Sequence, residues 1–296
     1  MTLIMTLGIV WRLVTPAGLT ADQTRHVLTT VVYYVFLPAL ILDVLCSADI
    51  GIHSLEISLI GVSSILLTML VIWIITSIFK FSRPQTGAII LAASFPNVTY
   101  LGLPVLEQTF GNWARSVVIQ LDFFAASPLL FTVGIMIARY YGQDKGKHKT
   151  ILSFFNTPPF WVAFLAVFLN LNHILIPEAM TGVLQKLSAA VVPLMLFSLG
   201  LALNWKTIKF RSLPTIVPVV VVKLFLMPLI AVFISRYLTL NDEYKAAAIL
   251  DMAMPSMVLG IIFCDRYKLD SSLYAMTVTI TTLLSIFTLP FWYSQL

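Results

Sequence analysis

Charge is what this chain has least of. Only 10% of its 296 residues are Asp, Glu, Lys or Arg, whereas 59% are apolar. Soluble domains carry roughly 25% charged residues, so a water-facing globular surface is excluded and an integral membrane protein is expected. Cysteine is also scarce. Cys46 and Cys264 lie far apart in apolar runs and read as small core residues rather than a disulfide or metal pair. The four histidines, His26, His53, His148 and His173, fall at or near segment ends. There is no HExxH, no GxSxG and no clustered ligand set. A metal, an organic cofactor and enzyme activity are therefore not expected. No basic tract interleaves with aromatics, which argues against nucleic acid as a partner. The opening "MTLIMTLGIVWRLV" lacks the basic start and small-residue cleavage site of a signal peptide.

What the chain does have is a series of apolar segments. Ten can be drawn, at 1–14, 27–46, 55–79, 86–108, 116–140, 159–176, 180–204, 213–237, 244–264 and 272–293. The first is shorter than the roughly 20 residues a span needs, so either span 1 is unusually short or the chain starts late. With ten spans, thirteen Lys and Arg fall on one side, among them Arg12, Arg25, Lys80, Arg83, Arg139 and the central-loop Lys145, Lys147 and Lys149. Three fall on the other, Arg115, Arg236 and Lys245. The positive-inside rule then places both termini outside and the central loop in the cytoplasm. The expected location is the plasma membrane, or the inner membrane of a bacterium.

The two halves resemble each other. Pro38 in span 2 matches Pro193 in span 7, Pro96 in span 4 matches Pro255 in span 9, and Pro128 in span 5 matches Pro290 in span 10. The chain is thus read as two five-span repeats, 1–141 and 159–296, joined by a linker at 142–158. An odd number of spans per repeat inserts the second upside down. Inverted repeats of this kind are a property of secondary transporters, and broken spans at matching places in the two halves mark their binding site. A channel would usually repeat by oligomer symmetry instead.

Two such breaks stand out. "FPNVTYLGLP", residues 95–104, puts Pro96, Asn97, Gly102 and Pro104 inside an otherwise apolar span. "AMPSMVLG" places Pro255 and Ser256 at similar depth in span 9. Proline removes a backbone donor, and freed backbone groups are tolerated at membrane depth only where they are buried in protein or line a cavity. Half-helix N-termini at such a cavity favour an anion. Charges inside spans add to this. Lys223 falls near the middle of span 8, Asp251 and Asp122 about seven residues from the ends of spans 9 and 5, and Asp43 near the end of span 2. Intramembrane charges usually mark function. Lys223 reads as positive charge for a carboxylate, Asp251 and Asp122 as proton-coupling groups, Gln120 as polar lining, and Asp43 as interfacial.

"N97-VTYL-G102-L-P104" resembles the N-x-x-x-x-G-x-P signature of the auxin efflux carrier family, and the similarity extends over essentially the whole chain. The resemblance implies an all-α membrane protein of ten transmembrane helices. It further implies a 5+5 inverted repeat, crossover helices 4 and 9, and a fold like the bile-acid symporters. It also implies elevator-type transport of a small organic anion, such as a dicarboxylate in bacteria. Asn97 and Pro104 match the crossover motif, with Pro255 as the span 9 counterpart. The interior of span 3 has no acid or lysine where plant carriers place an Asp–Lys pair. The expected substrate-binding residues are Pro96, Asn97, Gly102, Pro104, Lys223, Pro255 and Ser256. The coupling ion is H+ or, as in bile-acid symporters, Na+; a homodimer is left open.

Overall fold

The computed structural model describes residues 2–48, 50–142, 158–203 and 213–296. Residues 143–157 of the expected linker, with Lys145, Lys147 and Lys149, lie outside the described residues, as do Lys206, Lys209 and Arg211 of the charge asymmetry. In chain order the helices are α1 (Thr2–Val14), α2 (Ala21–Leu45), α3 (Ile52–Phe79), α4 (Arg83–Ser94), α5 (Leu103–Phe110) and α6 (Ala114–Tyr141). They continue as α7 (Pro158–Leu171), α8 (Glu178–Ala202), α9 (Leu213–Ser235), α10 (Asp242–Met252), α11 (Gly260–Tyr267) and α12 (Ser271–Tyr293). Among the described residues every regular element is helical. Six of these helices, α2, α3, α6, α8, α9 and α12, are long and apolar enough to cross a membrane, while α1 and α7 are apolar but shorter. The protein is a multi-pass membrane protein.

Local sequence explains where the helices begin and end. Thr20 and Gln23 form a capping box at the start of α2. Asn241 and Asp270 cap α10 and α12 by accepting from Tyr244 and Leu273 N–H. Prolines inside the apolar runs are accommodated by wider turns. The residue before each of Pro38, Pro104, Pro128 and Pro228 donates to the carbonyl five residues back. Such a π-turn relieves the clash that a proline ring makes with the carbonyl four residues earlier. Pro193 and Pro290 instead lie within continuous α-helix.

The helices sort into two packed groups. α1 and α2 pack with α7 and α8; α3 to α6 pack with α9 to α12. The first group is tightest between α1 and α8, where a side chain at Gly8 or Gly200 would collide with the facing backbone at Phe197 or Met5. Small residues allow such approach within a bilayer. In the second group α4 and α10 are central: α4 is buried from Thr86 to Ser94 and α10 from Ala246 to Met252. Large apolar side chains such as Leu55, Leu70 and Trp73 face outward along α3, as a lipid-facing surface requires. Contacts between the groups run chiefly through α2 against α6 and through α8 against residues 98–102 and α5.

Candidate functional site

The site forms where two helices stop. α4 ends at Ser94 because Phe95 precedes a proline and is extended, at φ −106° and ψ 113°. α10 ends at Met252, three residues before Pro255. The two interruptions meet. Pro96 and Ser256 form an isolated antiparallel bridge. Asn97 N–H donates to Pro255 O at 2.8 Å, and Met257 N–H donates to Phe95 O at 3.0 Å. Each break therefore satisfies backbone groups that the other would leave bare in hydrocarbon, where each would cost several kcal/mol. α12 braces the crossing from one side: Ser256 N–H donates to Thr281 Oγ1 at 3.2 Å and Tyr274 Oη donates to Met257 O at 2.7 Å.

Beyond the break, Asn97 O accepts from Leu101 and Gly102 N–H at 3.3 and 3.0 Å and opens the π-turn that leads into α5. Gly102 packs directly against the Asp251 carboxylate, so any side chain there would meet Oδ1. Asp251 is fully buried, and neither of its oxygens has a hydrogen-bond partner among the described residues. Lys223 is also fully buried; its Nζ lies 2.7 Å from Met227 Sδ and makes no ion pair within 4 Å among the described residues. Asp251 still lies within electrostatic range of both Lys223 and Asp122.

Asp122 sits at the first position of a π-turn in α6 and accepts hydrogen bonds from Thr99 Oγ1 and, at 2.7 Å, from Ser127 Oγ. It lines a narrow cavity of about 50 Å³ together with Asn97, Thr99 and Ser127. Tyr33 and Leu37 of α2 and Pro159 of α7 also line it, as do Tyr100, Phe123 and Phe131. The cavity thus lies at the seam between the two helix groups. The amide nitrogen of Asn97 is buried and has no partner among the described residues, which leaves a donor for a bound acceptor.

The family comparison agrees with this architecture. A family model described as membrane transport protein matches residues 1–293. The chain belongs to the auxin efflux carrier family. A carrier described as an uncharacterized transporter from Methanothermobacter thermautotrophicus is 28% identical over 93% of this chain and 90% of its own length. Another uncharacterized transporter, from Methanocaldococcus jannaschii, is also 28% identical, over 93% and 91%. The uncharacterized transporter YfdV of Escherichia coli is 23% identical over 72% and 69%. All three are named as transporters, and a transport role follows for this auxin efflux carrier family member.

Of the residues singled out in the sequence, Asn97 and Asp122 line the cavity. Pro96, Pro255 and Ser256 build the crossing behind it, and Gly102 and Pro104 lie in the turn beyond. Lys223 and Asp251 do not line the cavity, and neither does Gln120, which donates to Ser116 Oγ at 2.8 Å. Asp43 lies 3.9 Å from Arg115, which also hydrogen-bonds Ser188. Sequence reasoning missed Thr99 and Ser127, the partners of Asp122, and Thr281 and Tyr274, the braces of the crossing. Ser127 had a signal: it directly precedes Pro128, five residues after the aspartate. The α12 residues had none, because threonine in an apolar helix bonds its own backbone as a rule.

Proposed function

We propose that this carrier moves a small organic anion, a carboxylate such as malonate or malate, across the plasma membrane by alternating access. The observation that carries the reading is the unpartnered Asn97 amide beside two broken helices that complete each other, at a cavity between two helix groups. An amide donor suits a carboxylate oxygen. Each helix group combines elements from both halves of the chain: α1 and α2 with α7 and α8, and α3 to α6 with α9 to α12. That pairing is what a ten-span inverted repeat, 1–141 and 159–296, would give, with α4–α5 and α10–α11 as broken spans. One group sliding past the other, with the crossing as its cargo site, gives an elevator. In this reading both termini face outward and the loop after α6 is cytoplasmic.

Asp122, on the cavity wall, is the proton-coupling group, and the buried Asp251 and Lys223 balance each other's charge away from the cavity lining. A second reading, sodium coupling, rests on the partnerless oxygens of Asp251 and Ser256, since sodium takes oxygen ligands. Uptake of malonate into vesicles containing the purified protein tests the proposal. Asn97→Ala and Lys223→Ala abolish uptake while both variants still insert; wild-type rates in both variants would overturn it. Uptake that follows a pH gradient in sodium-free buffer selects the proton.

A further inference from the structure

Among the described residues Asp122 is the one charged residue lining the central cavity, and neither a lysine nor an arginine lines it. A site for anions needs positive charge somewhere on the route. A second cavity of about 120 Å³ adjoins the first, and Tyr100 and Leu259 line both. Arg25, His26 and Thr29 of α2 also line this second cavity. A further pocket of about 250 Å³ reaches Arg25 from the side of Arg12 and Asp22.

The two arginines differ in what they already hold. Arg12 is spoken for: it pairs with Asp22 at 2.8 Å and donates through Nε to Leu201 O at 2.8 Å. Arg25 is half-buried and lines both pockets. Its carbonyl accepts from Thr29 Oγ1 at 2.8 Å, but among the described residues its guanidinium has no hydrogen bond and no ion pair within 4 Å; Asp22 and Asp265 act on it only at longer range. A guanidinium carries five donors in a planar fork that fits a carboxylate with two parallel bonds. Partly buried and without a side-chain partner among the described residues, that fork is available to a carboxylate.

We propose that Arg25 anchors a carboxylate at a vestibule subsite, and that Tyr100 and Leu259 form the partition the anion passes to reach Asn97. The proposal rests on the organic-anion reading above. It assigns the anion's counter-charge to α2, in the first helix group, while the amide that receives it lies in the second. The anion therefore meets the charge of the first group before it reaches the amide of the second.

Thermal unfolding of the purified full-length protein in detergent, titrated with malonate, tests it. Wild type is stabilised by malonate. In Arg25→Gln the half-saturating concentration rises roughly tenfold or more, the loss expected from removing a charge-assisted pair. Arg25→Lys, which keeps the charge and so the insertion signal but loses the fork, shifts less than Arg25→Gln yet measurably. Lys80→Gln, an exposed cation outside both pockets, does not shift. Wild-type affinity in Arg25→Gln, together with loss in Asn97→Ala, overturns the vestibule subsite and leaves the central site standing. Loss in Arg25→Gln with no effect of Asn97→Ala supports the subsite and overturns the central site. If Arg25→Gln does not fold, an unchanged Arg25→Lys overturns the proposal. Equal loss in Lys80→Gln, or no malonate effect on wild type, also overturns it.

Discussion

The main-chain N–H of Asn97 donates to the carbonyl of Pro255 at 2.8 Å, across 158 residues of chain. With the Met257–Phe95 bond beside it, this makes a two-bond fragment of antiparallel sheet in the middle of a helical membrane protein. Neither broken helix is complete without the other. The crossing thus ties the two breaks together, and Asn97 and, two residues on, Thr99 line the cavity beside it.

Gly102 is required by the Asp251 carboxylate packed against it, not by its own backbone, which is helical at φ −60° and ψ −49°. Gly102→Ala is expected to destabilise by about 1–3 kcal/mol through overpacking. Gly182→Ala, in α8 with nothing within 4 Å of the new methyl, should gain about 0.4–1 kcal/mol. Thermal unfolding of both purified variants compares them, and equal midpoints would show that the Gly102 contact does not matter.

Thr281 accepts the buried N–H of Ser256, whereas Thr277 Oγ1 only donates back to the carbonyl of Leu273, four residues earlier. Thr281→Val keeps the shape but strands that N–H, at a cost of about 1–3 kcal/mol. Thr277→Val should cost clearly less. Hydrogen exchange at Ser256 gives a local readout: its protection drops in the first variant and holds in the second.

Lys223 and Asp251 are both fully buried and within electrostatic range of one another, without a direct ion pair. Lys223→Met and Asp251→Asn should each destabilise the protein. The double variant should be more stable than the summed losses by about 0.5–3 kcal/mol, because it leaves neither charge uncompensated. Additive losses in a double-mutant cycle would separate the two residues functionally.

Asp122 is held by Thr99 and Ser127 hydroxyls on the cavity wall. Asp122→Asn keeps the shape and removes the titratable group. Malonate exchange at equal pH on both sides of the vesicle should persist in this variant, while accumulation driven by a proton gradient disappears. Gradient-driven accumulation at the wild-type level in Asp122→Asn would remove Asp122 from the coupling role.

Much of the architecture was legible from residue type alone. Scarce charge identified a membrane protein, and prolines inside apolar runs located the interruptions at residues 95–97 and 255–256, where the helices do stop. The sequence already set the Pro96 break apart from Pro38, Pro128 and Pro228, because an asparagine, a glycine and a second proline follow within eight residues; those three prolines read as kinks and are absorbed by π-turns within continuing spans. The difference lies in what surrounds them. A single freed carbonyl can be rebonded within its own helix, but the breaks at Pro96 and Pro255 each found partners in the other.

The sequence by itself determined the family, the membrane setting and the identity of the residues at the two breaks, since these follow from composition, proline chemistry and an ordered motif. Only the tertiary structure decided which of the buried polar groups share a space. It put Asn97 with Asp122, Thr99 and Ser127 on one cavity, packed Asp251 against Gly102, and left Lys223 and Asp251 off that cavity's lining. It also left Arg25 unpaired beside that cavity. Helical periodicity gives the face of a single helix, but not which faces of distant helices meet. That is settled by packing, and by the need of every buried backbone group for a partner in a medium that offers none.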